Sequence, residues 1–277
     1  MAPSFPRTTG ATARDKQSGD GAAPVDNDFE GRAALVTGGT RGIGYGIAAE
    51  LVARGASVCI TARKEEELAN AVDTLDPDGT GRVVAARGSA DDEEHQQAAV
   101  DLAMEAFGRL DIVVNNAAVN PQYGPLMDAD LGAVRKVMEV NVVAALAWTQ
   151  KAWHAWLKDN GGAVLNVASV GGIRAGAPIG AYNASKAALI HLTRQLAQEM
   201  GPRVRVNAIA PAVVKTTFAR ALYENREDEV AARYPLKRLG TPEDTAKLAA
   251  FLLSDDASWI TGETVTIDGG ITIGGGV

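Results

Sequence analysis

The run Arg32-Ala33-Ala34-Leu35-Val36-Thr37 is short and apolar, and it passes directly into Gly38-Gly39-Thr40-Arg41-Gly42-Ile43-Gly44. The helical run Tyr45 to Val52 follows at once. A buried strand, a glycine turn and a helix in that order build a site for a phosphate. The free N–H groups and the dipole of the helix face the turn, and glycine lets the backbone bend tightly and come close to the ligand. The spacing is T-G-x-x-x-G-x-G, from Thr37, Gly38, Gly42 and Gly44, rather than G-x-G-x-x-G. Its place between strand and helix is that of a dinucleotide-binding unit.

The chain continues as such a unit requires. Strands are expected at Ala56–Arg63, Arg82–Ala86, Leu110–Val114, Ala163–Ala168, Arg203–Ile209 and Glu263–Ile267. Helices are expected at Glu65–Leu75, with Pro77-Asp78-Gly79 ending it, and at Asp91–Phe107. A long helical segment holds Asn141, another carries Tyr182 and Lys186, and one starts at Thr241-Pro242 and runs to about Leu253. Residues 216 to 238 read as charged and helical, interrupted by Pro235, and suit a lid. This alternation implies a doubly wound parallel α/β sheet, with ligands bound beyond the carboxyl ends of the strands.

The second strand ends at Ala62-Arg63, where a carboxylate would accept hydrogen bonds from an adenosine ribose. There is no acid at Ala62, and Arg41 stands in the glycine turn. Two guanidinium groups near one ribose favour a 2′-phosphate, hence NADPH over NADH. The competing reading makes Arg63 a surface charge paired with Glu65 to Glu67.

Tyr182 and Lys186 are four residues apart, so on a helix they share a face. An ammonium beside a phenol favours phenolate and lowers its pKa, which would make Tyr182 a proton donor and acceptor near neutrality. Ser169, 13 residues before Tyr182, ends an apolar run and could bring a hydroxyl to the same point. Asn141 is a polar group in an apolar neighbourhood, either a satisfied core amide or part of this site.

A net charge of −7 argues against nucleic acid or an anionic membrane as partner, and no run is long enough to span a bilayer. Cys59 reads as a packed thiol, and His95, His154 and His191 lack ligand spacing, so no catalytic metal is expected. Residues 1–27 read as a flexible extension without a secretory h-region, and 28–277 as one domain in a cytoplasmic protein.

Taken together, TGGTRGIG, NNAA, Asn141, Ser169, YNASK, APAVVKT and the late IDGG resemble the classical short-chain dehydrogenase/reductase family from about Phe29 onward. The resemblance implies a seven-stranded parallel sheet and a catalytic tetrad of Asn141, Ser169, Tyr182 and Lys186. It places Gly38, Thr40, Arg41, Gly42, Ile43, Gly44, Arg63, Asn116, Ala117, Tyr182, Lys186, Pro211, Val214 and Thr216 at the cofactor, NADP rather than NAD. In that scheme Tyr182 gives its proton to a developing alkoxide, Ser169 positions the same oxygen, Lys186 lowers the tyrosine pKa and binds the nicotinamide ribose, and Asn141 helps hold a water. The substrate would be a small carbonyl or alcohol, and the likeness extends to 3-oxoacyl-thioester reductases. A homotetramer or homodimer is implied, with Ile267–Val277 at an interface. Three positions depart from the family pattern: Ala118 stands in NNAA, Ala212 follows Pro211, and Ser89 takes the place of an aspartate near the adenine. A non-catalytic nucleotide-binding or scaffold protein on the same fold is the alternative.

Overall fold

The computed structural model describes residues 27–273 apart from Ala177. The expected N-terminal extension, save Asn27, and the last four residues lie outside the described residues. Seven parallel strands form one sheet: β1 Ala33–Thr37, β2 Ser57–Ala62, β3 Val83–Arg87, β4 Ile112–Asn115, β5 Gly162–Val167, β6 Val204–Pro211 and β7 Thr264–Ile267. Their spatial order is β3-β2-β1-β4-β5-β6-β7. The chain winds outward from β1 in one direction through β3, then crosses back to β4 and winds the other way. The crevice beyond the ends of β1 and β4 is therefore the topological switch point, where such sheets bind ligands.

The helices are α1 Gly42–Ala53, α2 Glu65–Leu75, α3 Glu93–Phe107, α4 Leu131–Met138, α5 Ala144–Ala152, α6 Lys158–Asn160, α7 Gly180–Met200, α8 Glu227–Ala232 and α9 Pro242–Leu253. Two buried apolar layers cover the sheet. One packs α1 and α9 through Ile47, Leu51, Ala249 and Leu253 against Val36, Ile60 and Val114. The other packs α3, α5 and α7 through Val100, Trp148 and Leu196 against Leu35, Val113 and Val164. Burial on both faces explains why the strands read as continuous apolar runs rather than alternating ones.

Two expectations are corrected. The first helix begins at Gly42, inside the glycine turn, rather than at Tyr45. Residues 216–238 are mostly turns, with one 3₁₀ turn at Arg220–Leu222 and the short α8. Asn225 and Lys237 adopt left-handed backbone, φ 62° and 55°, which breaks any longer helix on either side. By contrast, Ala212 is not in that conformation, so the Pro211-Ala212 turn forms without the glycine.

Candidate functional site

The glycine turn is closed by side chains from β1 and β4. Thr37 Oγ1 accepts from the backbone N–H of Asn116 and of Ala117, both at 3.0 Å, and donates to Val114 O at 3.2 Å. Asn116 Nδ2 donates to Thr37 O at 2.8 Å and to Gly38 O at 3.1 Å. Both amide hydrogens of Asn116 thus hold the turn in place, a positioning part that the sequence reading did not foresee for it.

A side chain at Gly44 would put Cβ 2.3 Å from Gly38 O and 2.4 Å from Asn116 Nδ2. At Gly42, φ is +58° and a Cβ would stand 3.0 Å from Thr216 Cγ2. The helix α1 starts with no side-chain cap, so its first N–H groups remain available to an anion. A cradle that only glycine can line, beside an uncapped helix start, fits the pyrophosphate of a dinucleotide. Thr216 reaches the cradle from the segment after β6. Val214, by its bridge to Gly240, ties that segment to the turn before α9.

At the other side of the crevice, Ser169 follows β5. Its Oγ accepts from Gly171 N at 3.1 Å, and the turn Val170–Gly172 lies hard against α7. A Cβ on Gly171 would be 2.0 Å from Asn183 Oδ1, and one on Gly172 would be 2.7 Å from the Lys186 backbone. That close approach sets the Ser169 hydroxyl near the Tyr182 phenol, whose pKa it lowers.

Lys186 is fully buried, and its Nζ donates to Val167 O at 2.7 Å. The same nitrogen stands 5.5 Å from the centre of the Tyr182 ring. Burial lowers its pKa to about 7. Burial also raises the Tyr182 phenol to about 12, and the Ser169 hydrogen bond works in the opposite sense. The ammonium is turned to the Val167 carbonyl.

Asn141 sits in a π-helical turn, Glu139–Val143, between α4 and α5. Such turns push a side chain out of the regular ladder. Asn141 Oδ1 accepts from Val119 N at 2.8 Å, while Nδ2 donates to Val119 O at 3.1 Å and to Ser185 Oγ at 3.0 Å. Ser185 Oγ in turn donates to Tyr182 O at 2.7 Å. Asn141 thus joins the chain after β4 to the turn of α7 that carries Tyr182. Ser185, wholly buried in the structure, was missed by sequence reasoning, although it stands inside Y-N-A-S-K. Phe218, whose ring lies 5.9 Å from that of Tyr182, was missed as well, and no sequence signal marked it.

Of the two arginines, Arg41 is 3.5 Å from Glu67. Arg63 is exposed, and its side chain has no ion pair among the described residues. The pairing of Arg63 with Glu65–Glu67 is not found, because Glu65 faces Arg87 at 3.4 Å and Glu67 faces Lys64 and Arg41. Ser89 Oγ donates to Asp91 Oδ1 at 2.6 Å, and Asp91 also pairs with Lys136 at 2.5 Å. A carboxylate is therefore present near the position where the family aspartate is absent, but it is already engaged.

The family described as enoyl-(acyl carrier protein) reductase matches residues 38–272. A pig protein, dehydrogenase/reductase SDR family member 4 from Sus scrofa, is 42% identical over 248 residues, covering 87% of this chain and 88% of its own. The chain belongs to the short-chain dehydrogenase/reductase family. It is accordingly an NAD(P)-dependent oxidoreductase. Two solved structures superpose well. A short-chain type dehydrogenase/reductase from Mycobacterium ulcerans has TM-score 0.83 and 36% identity, covering 88% of this chain and 91% of that one. ElxO with NADP bound has TM-score 0.81 and 30% identity, covering 87% and 99%.

Proposed function

We propose that this enzyme is an NADPH-preferring carbonyl reductase acting on a small ketone, with a 3-oxoacyl thioester as the substrate class to try first. The observation that carries the reading is the meeting of Ser169, Tyr182 and Lys186 on one side of the crevice whose other side is the glycine cradle. A bound nicotinamide dinucleotide supplies the hydride.

The protein's own part is to hold the carbonyl oxygen and protonate it. Ser169 Oγ and the Tyr182 hydroxyl converge there, so the charge that grows on oxygen meets two donors. Tyr182 gives up its proton to that oxygen. Burial keeps the phenol protonated at neutral pH, the form that reduction needs. Lys186 lies behind the ring, where it can reach a ribose hydroxyl and relay a proton. Asn141, through Val119 and Ser185, positions the turn of α7 that carries Tyr182. Gly38 to Gly44 hold the pyrophosphate, with Thr40, Ile43, Ala117, Pro211, Val214 and Thr216 completing the cofactor wall. Arg41 and Arg63 read the 2′-phosphate, and the bound NADP of ElxO supports that choice.

Residues 28–277 act as one catalytic domain of a cytoplasmic homotetramer or homodimer. Among the described residues no helix is long and apolar enough to cross a membrane.

The test is oxidation of NADPH and of NADH with an acetoacetyl thioester. Turnover with NADPH preferred supports the reading. NADPH binding without turnover removes the thioester and sends the search to other ketones. Tyr182→Phe should lower kcat by about 10²–10⁴ while leaving nucleotide binding intact. Unchanged turnover would remove Tyr182 as the proton donor.

A further inference from the structure

The first turn of α2 carries three acids, Glu65, Glu66 and Glu67. Acids there are favoured by the helix dipole, and that accounts for Glu65, which faces Arg87, and for exposed Glu66. Glu67 does something more. Its carboxylate reaches across to the glycine turn, where Arg41 Nη1 lies 3.5 Å from Oε1 and Thr40 Oγ1 donates to Oε2 at 3.5 Å. Lys64 Nζ donates to the same Oε1 at 2.7 Å. Exposed Arg63 stands next in the chain to Lys64, with no ion pair among the described residues.

Two cations and a hydroxyl thus surround one carboxylate, with Arg63 next in the chain, beyond the end of β2, where a dinucleotide's adenosine ribose is bound in this kind of fold. An anion site is built there, and a side chain of the protein itself partly satisfies it.

We infer that Glu67 is an internal counter-ion of the 2′-phosphate subsite, holding Arg41 and Lys64 when no phosphate is bound and setting how strongly the enzyme favours 2′-phosphorylated nucleotides. The inference rests on the reading of Arg41 and Arg63 as phosphate ligands. A phosphate carries up to two charges and three acceptor oxygens, so it draws Arg41 and Lys64 away from Glu67. The carboxylate stays close by and repels it. Glu67 therefore works against NADPH while costing NADH little. Removing its charge sharpens the preference instead of weakening it.

The test uses 2′,5′-ADP and 5′-AMP as probes, with dissociation constants measured by calorimetry on the full chain, so no turnover is involved. Glu67→Gln keeps an oxygen acceptor for Lys64 and Thr40 but removes the charge. It should tighten 2′,5′-ADP about five- to tenfold and change 5′-AMP less than about twofold. The gap should narrow at high salt, because the interaction is between exposed charges. Glu67→Asp, too short to reach Arg41, should move the ratio in the same direction by less, and it stands in if the glutamine variant folds poorly.

A wild type that prefers 2′,5′-ADP, with the ratio unaltered in Glu67→Gln, overturns the role of Glu67 and leaves the phosphate reading standing. A wild type without preference, whose Glu67→Gln variant acquires one, supports Glu67 as the counter-ion and removes the NADPH preference. If neither protein discriminates, both readings fall.

Discussion

Lys186 is a buried amine with one carbonyl partner, Val167 O, and its pKa falls from 10.5 to about 7 because burial disfavours its charge. The folded value lies below the unfolded one, so between about pH 7 and 10.5 the unfolded chain binds more protons. Stability therefore rises with pH across that window, by at most about 1.4 kcal/mol per pH unit from this group. Below about pH 7 the cost is fully present. Urea midpoints measured from pH 6.5 to 9.5 should climb for wild type and flatten in Lys186→Met. An equal slope in both would show that the ammonium is not desolvated. Tyr182 shifts the other way, up to about 12. It keeps its proton through neutrality, so alcohol oxidation, which needs phenolate, should keep rising beyond pH 9 while ketone reduction stays level from pH 6 to 8. Ser169→Ala removes the one interaction that lowers the phenol and should move the oxidation limb to still higher pH. An oxidation plateau near pH 7 would contradict the buried-phenol account.

Elements bring these groups together by close backbone approach. The Ser169–Gly172 turn rests on α7 with no space for a methyl at Gly171 or Gly172. Gly172→Ala should cost about 1–3 kcal/mol by overpacking and lower kcat more than it raises KM, since the Ser169 hydroxyl is displaced. Full activity with native stability would mean that the turn is free to move. At α9 the sequence signal was complete. Thr241, Pro242 and Asp244 form the expected start, with reciprocal bonds between Thr241 and Asp244, and Thr241→Ala should lower stability by about 1 kcal/mol in denaturant melts. The α2 boundaries, Glu65–Leu75, were likewise readable from periodicity and the Pro77-Asp78-Gly79 stop. The 216–238 segment was not, because its charged residues suit a helix as well as a turn. Its breaks at Asn225 and Lys237 depend on the path between β6 and α9.

At the scale of the whole molecule, β7 closes the sheet as an edge strand, and fully exposed Trp259 stands in the connection from α9 into it. Ile273 beyond β7 is also exposed. An open strand edge and large exposed apolar side chains are both features that association would cover. Light scattering should give a multiple of 28.8 kDa, and Trp259→Glu should lower the measured mass. A monomeric mass for wild type would end the oligomer reading. Sequence alone determined the glycine cradle, the alternation that makes a parallel sheet, and the shared face of Tyr182 and Lys186. Each of these depends on the local backbone conformation of a few neighbouring residues. Only the tertiary structure decided that Asn116 spends its amide on the glycine turn, that Asn141 reaches Tyr182 through Ser185, that Lys186 turns to Val167 O, and that Glu67 meets Arg41 and Lys64 rather than Arg63. Those facts depend on which distant segments share a crevice and how far burial moves a charge, and neither quantity is carried by the spacing of residues along the chain.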